Sequence, residues 1–305
     1  MKRLLLRCLA FFGMFAVLVL LPNYLINQYR IARDIPQLAN TRVLVVGDSH
    51  AMCDINPDLI EGCKNISLPA EPYVMTYNKL KALLPRNRGI EIVILTFSFH
   101  SLSAFNDWKF YDERWADYLL DVTYPIMSLN DLRDLPVSYR RFFHSRLRNL
   151  FLFPRKDHHP RYFFVDFDGH AKGEPTLETG DVAEVIARHY SYNGEPAGIS
   201  QVAIAALDAM VHLAKACNCK LILVQTPLHR QYLVRIPEGI RRAHSRVAER
   251  IAGMGVPILD FSEYRFEDEY YMDYDHLNRS GAAIFTGMLK EALSESSSRQ
   301  IRQAR

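Results

Sequence analysis

The chain lacks the familiar emblems of nucleotide and metal chemistry. It has no GxxxxGK[ST] loop to cradle phosphates, no HExxH pair to grip a catalytic zinc, and no zinc-type cysteine spacing. Charge of one sign is not in excess: the formal net charge is +3 over 305 residues, so no global field draws the chain to nucleic acid. Internal repeats are absent, and low complexity is confined to a Ser/Arg/Gln tail after Leu293. Cysteine is sparse, at five residues, a number that does not fix the redox compartment. Cys53 and Cys63 are candidates to pair in an oxidising compartment. Cys217 and Cys219, between a helical pattern and an apolar run, read as small buried residues rather than a redox pair.

What is present begins with a distinctive N-terminus. Lys2, Arg3 and Arg7 precede an apolar stretch from Cys8 to about Leu21, extended by Tyr24, Leu25 and Ile26. A membrane span needs roughly 20 mostly apolar residues, and this stretch just reaches that length. A secretory signal has the same basic start and apolar core. No small-x-small cleavage site follows Leu21, so residues 1–29 are expected to be an uncleaved single-pass anchor, with 30–41 as a polar connector. Arg30 and Arg33 lie on the far side, so flanking charge hardly discriminates orientation. The short leading segment favours a body on the extracytoplasmic side.

With 49% hydrophobic residues, the chain can build one large core or two small ones. Val43–Val46, Ile90–Leu95, Lys220–Val224 and Val256–Asp260 are short apolar runs rich in β-branched residues, the pattern of strands buried on both faces. Helical patterns cover Tyr73–Leu84, Ser200–Ala216, Pro237–Met254 and Arg279–Leu293. Such alternation implies an α/β fold with a parallel sheet covered on both sides, and sites in these sheets lie beyond the carboxyl ends of the strands. The domain is expected over 42–293, with 294–305 as a polar tail. The stretch 101–198 breaks the alternation and is rich in arginine and aromatics, so it is expected to be an insertion bordering the site. Within it, Tyr162–His170 reads as a strand running into an Asp-Gly turn.

Two motifs carry chemistry. Gly47-Asp48-Ser49-His50 follows the first apolar run and puts a hydroxyl at a strand end. Asp273-Tyr274-Asp275-His276 precedes the last helix and offers a histidine with a carboxylate three residues earlier. A hydroxyl, a base and an orienting carboxylate are the parts of nucleophilic acyl chemistry. Ser49 is therefore the candidate nucleophile, His276 the general base and Asp273 its orienting group, with Asp275 as a rival for that role. His50 and His229 are candidates for the substrate rim. Asp157, His158, His159, Asp166, Asp168 and His170 could each bind a metal, but their spacing does not demand one, so no metal or cofactor is expected.

These motifs resemble those of the SGNH/GDSL hydrolase superfamily. Gly47-Asp48-Ser49 is similar to its first block and Asp273-x-x-His276 to its last; the resemblance covers 42–100 and 218–293. It implies a three-layer α/β/α sandwich and an oxyanion hole built from the serine N–H, a glycine N–H after the second strand and an asparagine after the third. Ala70 stands where the glycine is expected, and no asparagine occurs near Thr96–His100, leaving Ala70, Ser98 and His100 as oxyanion candidates. The anchored architecture is similar to a membrane-bound subgroup that moves or removes acyl groups on envelope polymers. That implies an acylated glycan or other ester substrate and a membrane acyltransferase partner. The rival reading is a non-catalytic scaffold or glycan-binding partner, motivated by the missing asparagine. A phosphodiester hydrolase is a third reading.

Overall fold

The computed structural model describes residues 2–23, 37–112 and 181–303, together with 25, 26, 29, 35, 115 and 119. Most of the 101–198 insertion lies outside these residues, including the Tyr162–His170 strand and the Asp157–His170 cluster.

A five-stranded sheet has the order β2-β1-β3-β6-β7, with every pairing parallel. The strands are β1 (Val43–Val46), β2 (Cys63–Asn65), β3 (Ile92–Thr96), β6 (Lys220–Gln225) and β7 (Ile258–Asp260). A small antiparallel hairpin, β4 (Ser191–Tyr192) with β5 (Glu195–Pro196), stands apart. Because successive residues of a strand face opposite sides, Leu44 and Val46 enter one core while Val43 and Val45 enter the other. The first core is completed by α3 (Tyr73–Leu83), α6 (Gln201–Ala216) and α8 (Glu238–Gly253), through Leu80, Leu207 and Ile251. The second is closed by α9 (Arg279–Gln303), whose Ala282, Phe285, Leu289 and Leu293 fall on one helical stripe. The three-layer α/β sandwich is thus the observed architecture. α9 continues to Gln303, through the segment read as a polar tail.

The N-terminal helix α1 (Lys2–Phe15) runs through a π-helical stretch, Ala16–Leu20, and helical structure reaches Asn23. It is long and apolar enough to cross a membrane, as a signal sequence also would be. None of the residues of α1 is buried; Leu5, Leu9 and Phe12 are all exposed. Cys53 and Cys63, the candidates to pair, are both free thiols. Cys53 lies buried on helix α2 (Ser49–Asp54), while Cys63 starts β2.

The two ends of the insertion meet. Ala104 N–H donates to Gly198, Ser200 N–H donates to Leu102, and Ser103 bridges Ile199. The intervening chain therefore leaves and returns at one place, just beyond the end of β3.

The loop after β2 is held by a buried ion pair. Lys79, on α3, reaches Glu71 at 2.5 Å and donates to the Ile66 carbonyl at 2.6 Å, and Thr76 donates to the other Glu71 oxygen at 2.8 Å. Burial raises the Glu71 carboxyl and lowers the Lys79 amine, each opposed by its partner's charge. Removing one member of such a pair strands the other in the interior. Lys79→Met should therefore destabilise the protein by ~3–5 kcal/mol, and Glu71→Gln added to it should restore most of the loss. Denaturant unfolding measures both; a single variant as stable as wild type would contradict the argument.

Candidate active site

Gly47 makes the turn from β1 into α2. Its φ is +138, and a Cβ placed there would lie 2.1 Å from Thr96 Oγ1 and 3.3 Å from Ala51 Cβ. Only glycine lets the strand turn this tightly against β3. Asp48 then caps α2, accepting from the His50 N–H at 3.1 Å. Ser49 becomes the first residue of α2, at the carboxyl end of β1. The expected cost of Gly47→Ala is ~2–5 kcal/mol, from overpacking and backbone strain together; a melting temperature within a degree or so of wild type would refute it.

The second half of the site is the loop between β7 and α9. Asp273 Oδ1 accepts from the backbone N–H groups of Asp275 at 3.0 Å and His276 at 2.8 Å. Both Asp273 oxygens lie 2.9 Å from His276 Nδ1. The Leu277 N–H donates to Asp54 Oδ1 at 2.8 Å, tying this loop to the end of α2. Asn278 caps α9 through the N–H groups of Ser280 and Gly281. With its ring fixed this way, His276 presents Nε2 to Ser49 Oγ at 2.8 Å, across 227 residues of sequence. Of Asp273 and Asp275, it is Asp273 that hydrogen-bonds the base.

Burial alone would lower the His276 imidazole, but the charges of Asp275 and Asp273, with the Asp273 hydrogen bond, outweigh it and raise the group to about 10. Burial also raises Asp54 to about 6.

Ala70 follows β2 and adopts φ +57, the left-handed conformation that glycine takes more easily. Leu68 N–H donates to the Gly47 carbonyl at 3.2 Å, which seats this loop against the nucleophile turn. The Ala70 carbonyl accepts from Lys109 Nζ at 3.1 Å. Among the described residues, the N–H groups of Ser49 and Ala70 donate to nothing. They are thus available to a developing oxyanion.

The remaining candidates are placed differently. His100 Nε2 is bonded to Asp48 at 2.8 Å, and its ring lies between those of His50 and His189, at 4.6 and 4.5 Å. That nitrogen is therefore committed to the helix cap, not turned to an oxyanion. Ser98 Oγ is buried without a partner among the described residues. His50 is fully buried at 0% exposure, so the rim role expected for it is corrected: its Nδ1 meets Thr226 Oγ1 at 3.2 Å, and its ring packs on His276. His229 is also buried, and caps the short helix α7 (Arg230–Leu233) by accepting from the Gln231 N–H; its other nitrogen meets Asp268. It is a structural cap, not a rim residue.

The sequence reading missed His189, on helix α5 (Val182–Tyr190), which joins His50, His100 and His276 around Asp48 and Asp275. No local signal could have found it, because its partners are distant in sequence.

No protein-family model matches the sequence, and no curated protein matches it. Among solved structures, the chain is similar to a proposed acylhydrolase from Bacteroides fragilis, at 12% identity and a TM-score of 0.42, covering 87% of this chain and 93% of that one. It is also similar to a GDSL-like lipase from Bacteroides thetaiotaomicron, at 13% identity and a TM-score of 0.42, covering 86% and 92% respectively. Likeness at this level bears no functional weight. What the site can do follows from its own geometry.

Proposed function

We propose that the protein is a serine esterase or O-acyltransferase, anchored to a membrane by α1 and acting outside the cytoplasm on acyl esters of envelope glycans. The observation that carries this reading is the continuous chain from Ser49 Oγ through both His276 nitrogens to Asp273. In the proposed reaction, His276 Nε2 takes the Ser49 proton as Oγ attacks the acyl carbonyl. Asp273 holds the imidazolium that forms, and the N–H groups of Ser49 and Ala70 receive the oxyanion. Collapse expels the alcohol, which takes the proton from His276, and leaves the acyl group on Ser49. Water or a sugar hydroxyl then repeats the sequence in reverse. The glycan, and a membrane acyltransferase as acyl donor, come from the sequence resemblance.

The full-length protein in detergent, given an activated acetyl ester and quenched with acid, should carry one acyl group on the peptide containing Ser49. A Ser49→Ala variant should carry none. Comparing added acetylated and deacetylated polysaccharide then separates hydrolysis from transfer. A folded wild type that never acylates, with or without membranes, would sink the enzymatic reading in favour of a scaffold.

A further inference from the structure

Behind the nucleophile turn, several buried polar atoms face one another. His50 Nε2 and both oxygens of Asp275 are buried and have no hydrogen-bond partner among the described residues, and both side chains are 1% exposed. Burying such groups without a hydrogen bond costs stability, most of all for a carboxylate. The distances are too long for hydrogen bonds and suit something else. Asp275 Oδ2 lies 3.5 Å from His50 Nε2, 3.8 Å from His276 Nδ1 and 3.7 Å from His189 Nε2. The ligand atoms of His50, Asp275 and His276 all fall within 4.8 Å of one another. Ligands about 2.0–2.1 Å from a tetrahedral zinc stand about 3.4 Å apart, so a small inward movement would seat an ion.

The chemistry of the donor set selects the ion class. Two imidazoles with one carboxylate suit zinc and its neighbours; calcium and magnesium prefer oxygen. The outer partners fit as well. A ligating histidine normally has its second nitrogen fixed. His50 Nδ1 meets Thr226 Oγ1 at 3.2 Å, and His189 Nδ1 meets Tyr232 Oη at 2.7 Å. The side chain nearest solvent beside His276 Nδ1 is Asp273, at 28% exposure.

We propose that His50 Nε2, the Asp275 carboxylate and His276 Nδ1 form a site for one zinc-class divalent ion, with His189 Nε2 as an adjoining donor, and that this ion switches the base off. The binding site stands on geometry alone; the switch rests on the catalytic reading above. An ion on Nδ1 displaces the hydrogen bond to Asp273 and leaves the ring's proton on Nε2. That nitrogen can then no longer accept a proton from Ser49.

The test uses full-length protein in detergent, dialysed against chelator and then against Zn²⁺ or Co²⁺. One ion per chain should bind, and Co²⁺ X-ray absorption should show imidazole nitrogens with a carboxylate oxygen. Ser49→Ala should bind as wild type does. His50→Gln and Asp275→Asn should each bind at least ~10-fold more weakly, with circular dichroism checking that they fold. No stoichiometric binding by wild type would overturn the site. So would binding unaffected by either substitution, which would put the ion elsewhere, for instance on His158, His159 and His170. For the switch, one equivalent of Zn²⁺ should abolish fluorophosphonate labelling of Ser49, and chelator should restore it. Labelling that persists in the zinc-loaded protein would overturn the switch alone. A metal-free wild type that never labels counts against the hydrolase reading, while dialysis still decides the site.

Discussion

Ser49→Ala should lower kcat/KM for an activated ester by ~10⁴–10⁶-fold, and His276→Ala should cost about as much. The 2.8 Å contact between Ser49 Oγ and His276 Nε2 makes them one functional unit. Losses within such a unit do not add, so the Ser49→Ala/His276→Ala double variant should be no slower than either single one. Asp273→Asn should fall less far. It leaves the backbone N–H bonds to the loop largely intact while losing the charge that holds the imidazolium. Steady-state kinetics on the three variants and the double one check this. Additive losses would mean that Ser49 and His276 act separately, which the hydrogen-bond chain does not allow. The residual rate of the double variant reports what the Ser49 and Ala70 N–H groups contribute without a nucleophile, since oxyanion donors typically supply 10²–10³-fold each.

Both halves of this unit were legible in the sequence because each is local. Gly47-Asp48-Ser49 is a turn at a strand end, and Asp273 and His276 belong to one loop. Strands β1, β3 and β6 were legible for a related reason: central parallel strands are buried on both faces, so they appear as unbroken apolar runs. β7 is an edge strand with no fully buried residue, and it showed only through the short apolar run Val256–Asp260. β2 did not stand out in that way. It is three residues long, it sits at the sheet edge, and its Cys-Lys-Asn sequence is only half buried. Only the family resemblance pointed to it. His50 was misread because a polar residue beside a nucleophile suggests an exposed rim, whereas α2 turns that face inward against Thr226 and Asp275. The grouping of His50, His100, His189 and His276 was invisible, since four separate elements deliver those rings and nothing in their spacing along the chain marks their meeting.

The same two carboxylates that mark the loop set the expected pH response. At about 10, the His276 group is protonated at neutrality, so only a small fraction of molecules hold a base able to accept the Ser49 proton. In metal-free buffer, kcat/KM should therefore rise about tenfold per pH unit from neutrality and level off near pH 10, roughly a thousandfold in all. The sign follows from the charges: Asp275 and Asp273 favour the imidazolium, so activity is suppressed below the raised value and released above it. Asp275→Asn removes a neighbouring charge without touching the Asp273 hydrogen bonds. The acidic limb of its profile should move to lower pH, and the variant should be faster than wild type at neutrality. Asp273→Asn also lowers the limb but removes the orienting bond, so its plateau should fall as well. A wild-type profile already flat above pH 7, or an Asp275→Asn profile that superimposes on it, would mean that Asp275 does not act on the base. A limb that moves as expected makes Asp275 the group that sets the balance between holding the imidazolium and leaving the base neutral often enough to work.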